Sequence, residues 1–137
     1  MGIEILSIKS SFPNKIETIK DLSKINKSWD IKKLYSSTGI NKRYVSEDNE
    51  NVISLSIQSA KKIITQKNKD KIGFILFVSQ TSPFKLPSIS CLIQHKLGLS
   101  NNIFATDINM GCSGFIYALK LSESLININK SKKFGLI

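Results

Sequence analysis

The chain has little with which to fasten itself from outside its own core: two cysteines, three prolines and one histidine in 137 residues. Cys91 and Cys112 are too few for a disulfide framework, and they lack the ligand spacing of a zinc site, so neither a metal nor a secreted disulfide scaffold is expected. No stretch approaches the ~18 apolar residues of a membrane-spanning helix. The opening MGIEILSIKS has no basic stretch leading into a long apolar core, so no secretory leader and no membrane is expected. A reducing cytoplasm is the expected home. Acidic residues are scarce, with 10 Asp+Glu against 20 Lys+Arg and a formal charge of +10, which favours an anionic partner. Aromatics are only 8% and the lysines are scattered. With no base-reading motif among them, nucleic acid is not the expected partner, whereas an acidic protein or a phosphorylated ligand answers the same field.

What is present is enough for a core. Hydrophobic residues make up 41% of the chain, as in an ordinary globular domain, and no repeat, low-complexity tract or linker suggests an internal boundary. Ile3 to Ile8 read as an opening strand, terminated by Ser10, Ser11 and Pro13. From Ile16 to Ile40, apolar residues fall at helical spacings, with Ser28 a cap for a helix through Trp29, Ile31 and Leu34, and Gly39 its stop. Ile53, Ile57, Ala60 and Ile64 mark one face of a helix over about Val52 to Gln66. IGFILFVS, Ile72 to Ser79, is a continuous apolar run of strand length, the pattern of a strand covered on both faces. Ser88 is placed to cap a short helix ended by Gly98, and IFATDI reads as another strand. Phe115 to Ile128 carries apolar residues all round the wheel, which predicts a helix buried on most sides. KKFGLI looks like the start of one more strand. The alternation predicts an α/β fold with a mostly parallel sheet.

DINMGCSGF, Asp107 to Phe115, sets Cys112 between two glycines where a strand gives way to that helix. Backbone N–H groups are unpaired at a helix start and the dipole there is positive, which favours the thiolate, the nucleophilic form. The same N–H groups can hold an oxyanion. Gly111 and Gly114 suit a sharp turn and a close substrate. On these residues alone two roles stay open for Cys112: a nucleophile, or a small filler packed between strand and helix. Cys91, inside SISCLIQHKLG, reads as filler.

DINMGCSGFIYAL resembles the nucleophile segment of β-ketoacyl-acyl carrier protein synthase III, an initiating condensing enzyme of the thiolase superfamily. STGINKR (Ser37 to Arg43), IGFILFVSQT and TSPFKLPSISCLIQHKLG (Thr81 to Gly98) are similar to further landmarks of that family, in its order. The resemblance covers essentially the whole chain. It implies a thiolase-like fold, in which residues 1–137 make the amino-terminal half of an α-β-α-β-α layered sandwich, incomplete at its C-terminal strand, in a protein that is usually a homodimer. Cys112 would be the acyl-accepting nucleophile, and its own N–H half of the oxyanion hole. Thr81 and Leu86 would line the acyl pocket, Leu86 by reaching across the dimer, and Thr38 would stand at the substrate entrance. Acyl carrier protein and an acyl thioester are the implied partners, with no cofactor.

Departures from the family pattern adjust these expectations. The family's catalytic His and Asn come from its other half, so the isolated chain is expected not to condense anything; the alternative is a noncatalytic remnant or partner chain that binds carrier protein or another subunit. The sole histidine, His95, is expected at the surface. Lys33 and Ser37 stand where the family has its adenine-stacking Trp and phosphate-side Arg, and Trp29 lies one helical turn too early, so it is expected to pack. A primer carried on acyl carrier protein is thereby favoured over one on coenzyme A.

Overall fold

The computed structural model describes residues 2–128 and 134–137. The chain divides into two compact units, Ser11–Asn51 and the combination of Met1–Ser10 with Val52–Ile137.

In the smaller unit, β1 (Lys15–Thr18) pairs antiparallel with β2 (Lys42–Val45), Glu17 opposite Arg43. The Arg43 guanidinium donates to the Glu17 carboxylate across the pair. Between the strands lie α1 (Ile19–Ile25) and α2 (Ile31–Thr38). A capping box opens α1: the Asp21 N–H donates to Thr18 Oγ1 at 3.3 Å, and the Thr18 N–H donates to Asp21 Oδ2 at 3.1 Å. The Thr18 hydroxyl, then its N–H, then Lys24, hold the Asp21 carboxyl down at about 2 against an ordinary 3.8. Gly39 ends α2 in the left-handed region, as the sequence predicts, but the cap is Asp30 rather than Ser28: its carboxylate accepts from the Lys33 N–H at 3.0 Å. Both residue types cap well, and the one followed directly by the apolar helical spacing prevails. The two strands are absent from the sequence prediction, because four residues of alternation inside a helical pattern leave too short a signal.

The larger unit is layered about a parallel sheet of order β4-β3-β5. The central strand β3 (Ile72–Val78) has β4 (Phe104–Ile108) on one side and β5 (Phe134–Leu136) on the other. β3 is nearly all buried, and its side chains alternate between two cores. Ile75 and Phe77 face α3 (Val52–Lys61) and α4 (Ile89–Lys96), packing with Ile89, Ile93, Leu99 and Ile103. Phe74 and Leu76 face α5 (Gly114–Ile128), packing with Ala118. Ile72 joins the first core across a register irregularity between Ile72 and Phe74. A strand flanked by helices on both faces needs apolar residues at every position, which is why this run was legible.

Two expectations are corrected here. Residues 3–8 form no strand and pair with none of the sheet's three strands, and Ile5, Leu6 and Ile8 remain exposed beside a cavity of ≈ 390 Å³ that Phe74, Phe115, Leu119 and Phe134 also line. Nor is α5 buried all round. Gly114, Ala118 and Ser122 form its one buried stripe, while Phe115, Ile116 and Tyr117 are about half exposed. Beside that stripe, half-buried Leu121, Leu125 and Ile126 pack against the core of Phe74, Leu76 and Ala118.

Candidate active site

β4 hands over to α5 through Asn109, Met110 and a 3₁₀ turn, Gly111–Ser113. The two glycines that flank Cys112 are required for different reasons. Gly111 has φ 59°, a conformation that L side chains rarely adopt, although a Cβ there would meet only Gln80 Nε2 at 3.8 Å. Gly114 has ordinary helical dihedrals, but a Cβ there would come within 2.8 Å of Val78 Cγ1. One glycine makes the turn and the other lets the helix settle onto β3.

Cys112 itself is exposed, which removes the filler role left open by the sequence. Met110, at the cap position, offers no side-chain bond to the turn, and the Ser113 hydroxyl folds back to donate to the Met110 carbonyl at 2.8 Å. The thiol stands in the 3₁₀ turn that leads into a 15-residue helix, and at that junction the Gly114 N–H donates to the Gly111 carbonyl. A solvent-facing sulfur next to backbone donors is an arrangement suited to attack on a thioester carbonyl, with a place for the oxygen as it gains charge.

The loop between β3 and α4 is fastened to this turn. The Ser79 N–H donates to the Ile108 carbonyl at 3.2 Å, extending the β3–β4 ladder by one bond, and the Gln80 amide lies against Gly111. Thr81 follows, exposed, with its N–H donating to Ser79 Oγ at 3.1 Å. Leu86 is 85% exposed and touches no core. At the far end of the loop the Asp107 carboxylate accepts from the N–H groups of Ile89 and Ser90, at 2.7 and 2.8 Å. Ser88, the predicted cap, makes no side-chain bond. Asp107 and Gln80 are the residues that sequence reading passed over. The signal for Asp107 was a lone carboxylate one residue before the end of β4.

Thr38 belongs to the smaller unit, where its hydroxyl donates to the Leu34 carbonyl at 2.7 Å and accepts from the Ile40 N–H at 3.2 Å. With Trp29, Leu34 and Arg43 it lines a cavity of ≈ 190 Å³. Trp29 is 48% exposed, so only part of its ring packs. Lys33 and Ser37 lie exposed on α2. His95 is exposed on α4, as expected. Cys91 is exposed too, against its reading as filler: the inward face of α4 is taken by Ile89, Ser90, Ile93 and Gln94, and position 91 falls between them on the outer face. Among the described residues no cluster of side chains could hold a metal ion, and no helix is long and apolar enough to cross a membrane.

No protein-family model matches the chain. Individual proteins do. It is 41% identical over 138 residues to a β-ketoacyl-[acyl-carrier-protein] synthase III from Acholeplasma laidlawii, a match covering 96% of this chain and 43% of that protein. A protein of the same name from Clostridium perfringens is 37% identical over 118 residues, covering 85% of this chain and 35% of its own. The chain thus spans less than half the length of these curated relatives. Among solved structures, the 3-oxoacyl-[acyl-carrier-protein] synthase III from Aquifex aeolicus superposes with TM-score 0.80 at 29% identity, over 95% of this chain and 42% of that one. An HMG-CoA synthase complexed with coenzyme A superposes with TM-score 0.79 at 18% identity, over 89% of this chain and 32% of that one, and shows the shared fold alone. The α/β architecture is accordingly thiolase-like.

Proposed function

The chain belongs to the β-ketoacyl-acyl carrier protein synthase III family, over a stretch shorter than half of its relatives, and on that premise we propose that it carries the acyl-accepting cysteine of such a synthase in acyl-chain biosynthesis. The observation that carries the proposal is the exposed Cys112 in the 3₁₀ turn that leads into α5, a turn that Gly111 makes possible. In the proposed step the Cys112 thiolate attacks the carbonyl carbon of an acyl thioester. The carbon–sulfur bond to the carrier breaks, the carrier leaves as its thiol with the proton that Cys112 gave up, and the acyl group stays on Cys112 as a new thioester. The Cys112 N–H steadies the oxyanion in between.

Condensation would follow when a malonyl carrier protein loses carbon dioxide and its carbanion displaces the Cys112 sulfur. That step needs a base and further donors, which the resemblance assigns to residues outside this stretch. The 137 residues alone are therefore proposed to load but not to condense. Thr81 is proposed as part of the acyl pocket wall, and Leu86, projecting from its loop, as the side chain offered to a second copy in a cytoplasmic homodimer. Thr38 is proposed at the substrate entrance. The excess of 20 basic over 10 acidic residues supports docking of an acidic carrier protein, and the exposed Lys33 in place of a stacking ring supports delivery of the primer on that carrier.

Mass spectrometry of the chain after incubation with an acyl-coenzyme A and, separately, with an acyl-acyl carrier protein tests this. An acyl mass on the peptide containing Cys112, larger with the carrier protein, is expected. No adduct from either donor would leave the chain as a noncatalytic binding partner.

A further inference from the structure

Gln80 stands where the segment after β3 meets the cysteine turn, and its backbone is held on either side. The Ser79 N–H donates to the Ile108 carbonyl at 3.2 Å, and the Thr81 N–H donates back to Ser79 Oγ at 3.1 Å. From that base the side chain reaches the turn. Apart from the chain neighbours of Gly111, Gln80 Nε2 is the atom nearest the place a Cβ would take on that glycine, at 3.8 Å. Gln80 is exposed, and its side chain makes no hydrogen bond to another described residue. Nor does the turn absorb it: the Met110 carbonyl already accepts from the Ser113 hydroxyl at 2.8 Å, and the Gly111 carbonyl from the Gly114 N–H. An amide group with two N–H donors and no acceptor thus lies against the residue before Cys112.

We infer that the Gln80 side-chain amide is a catalytic donor in the loading step, giving the oxygen of an acyl thioester a second hydrogen bond beside that of the Cys112 N–H. The inference rests on the reading of Cys112 as the acyl acceptor. As the sulfur bonds to the carbonyl carbon, an electron pair of the carbon–oxygen double bond moves onto oxygen. Gln80 holds that charge without giving up its proton, and the pair returns when the carbon–sulfur bond to the carrier breaks. Successive Cα atoms are about 3.8 Å apart, so an acyl carbonyl on Cys112 arrives beside an amide that rests on Gly111. With no Cβ on Gly111, nothing from the turn stands between them. Where a side-chain amide serves an oxyanion in a closed site, removing it costs about 10²–10³ in rate. Here water competes for the oxygen, and a smaller effect of about tenfold is expected.

The test treats the 137-residue chain and its Gln80→Ala and Gln80→Glu variants with acetyl-coenzyme A, p-nitrophenyl acetate and iodoacetamide, with the rate of modification at Cys112 read by mass spectrometry. All three reagents consume the same thiolate, but only the first two place charge on a carbonyl oxygen as they react. The ratio of acylation to alkylation is expected to fall about tenfold in Gln80→Ala. It should fall at least as far in Gln80→Glu, which keeps length and shape but at neutral pH only accepts. A ratio unchanged in both variants, or acylation and alkylation slowing together, would mean that Gln80 only props the turn and would overturn the proposal. If the ester acylates Cys112 and acetyl-coenzyme A does not, the thioester reading of Cys112 fails while the ester ratio still judges Gln80. Acylation of the parent chain by neither reagent refutes both.

Discussion

The two cysteines occupy matching places in the larger unit, each near the start of the helix that follows a parallel strand, yet their surroundings have been built in opposite senses. At α4 the first amides are consumed: Asp107 takes those of Ile89 and Ser90, and Cys91 sits beyond them on an outward face. At α5 the entry runs through a 3₁₀ turn that no side chain caps, with a left-handed glycine at Gly111 and the exposed Cys112 within the turn. Exposure therefore does not distinguish the two thiols. What distinguishes them is whether the polar groups around the helix start are already occupied. One strand, β4, serves both sites, closing the first helix with its Asp107 and leading into the second.

The sharpest way to break this contrast is to exchange the sulfurs for oxygen one at a time. Cys112→Ser is expected to lower acyl loading from a thioester by on the order of 10³-fold or more, while Cys91→Ser leaves it unchanged. Loss of loading in Cys91→Ser would show that the α4 turn shares in the chemistry. A smaller effect is expected from filling the close approach that only the α5 turn has. Gly114→Ala sets a methyl group against Val78 and should cost about 1–3 kcal/mol of unfolding free energy in a denaturant titration. Smallest is the difference between two candidate caps of α4. Asp107→Ala should cost about 1 kcal/mol and Ser88→Ala close to nothing in the same titration. Equal losses would mean that the intervening loop, rather than β4, holds the helix start.

These contrasts also separate what could be read in advance from what could not. β3 was legible because burial on both faces demands an unbroken apolar run, and the reactive turn because two glycines around a cysteine form a local pattern. Such features are written in neighbouring residues. The capping of α4 was not legible, since the acceptor lies 17 and 18 positions away and a perfectly good capping serine stands in the expected place. The opening strand failed for a related reason. Ile3 to Ile8 have the composition of a strand, but composition does not choose a partner, and the sheet of β4, β3 and β5 is built without them. The wheel of α5 overstated its burial because apolar residues record what a helix face can cover, whereas here Gly114, Ala118 and Ser122 are buried, Leu121, Leu125 and Ile126 half-buried, and Phe115, Ile116 and Tyr117 exposed.

That stripe has a consequence for aim. Three small side chains in a row let the axis of α5 lie close on the sheet, with Leu121, Leu125 and Ile126 packed beside them. A sulfur mounted at the end of such a beam takes its bearing from the strands beneath, much as a gun barrel takes its bearing from its carriage, so its thermal wandering is that of the sheet rather than that of a surface loop.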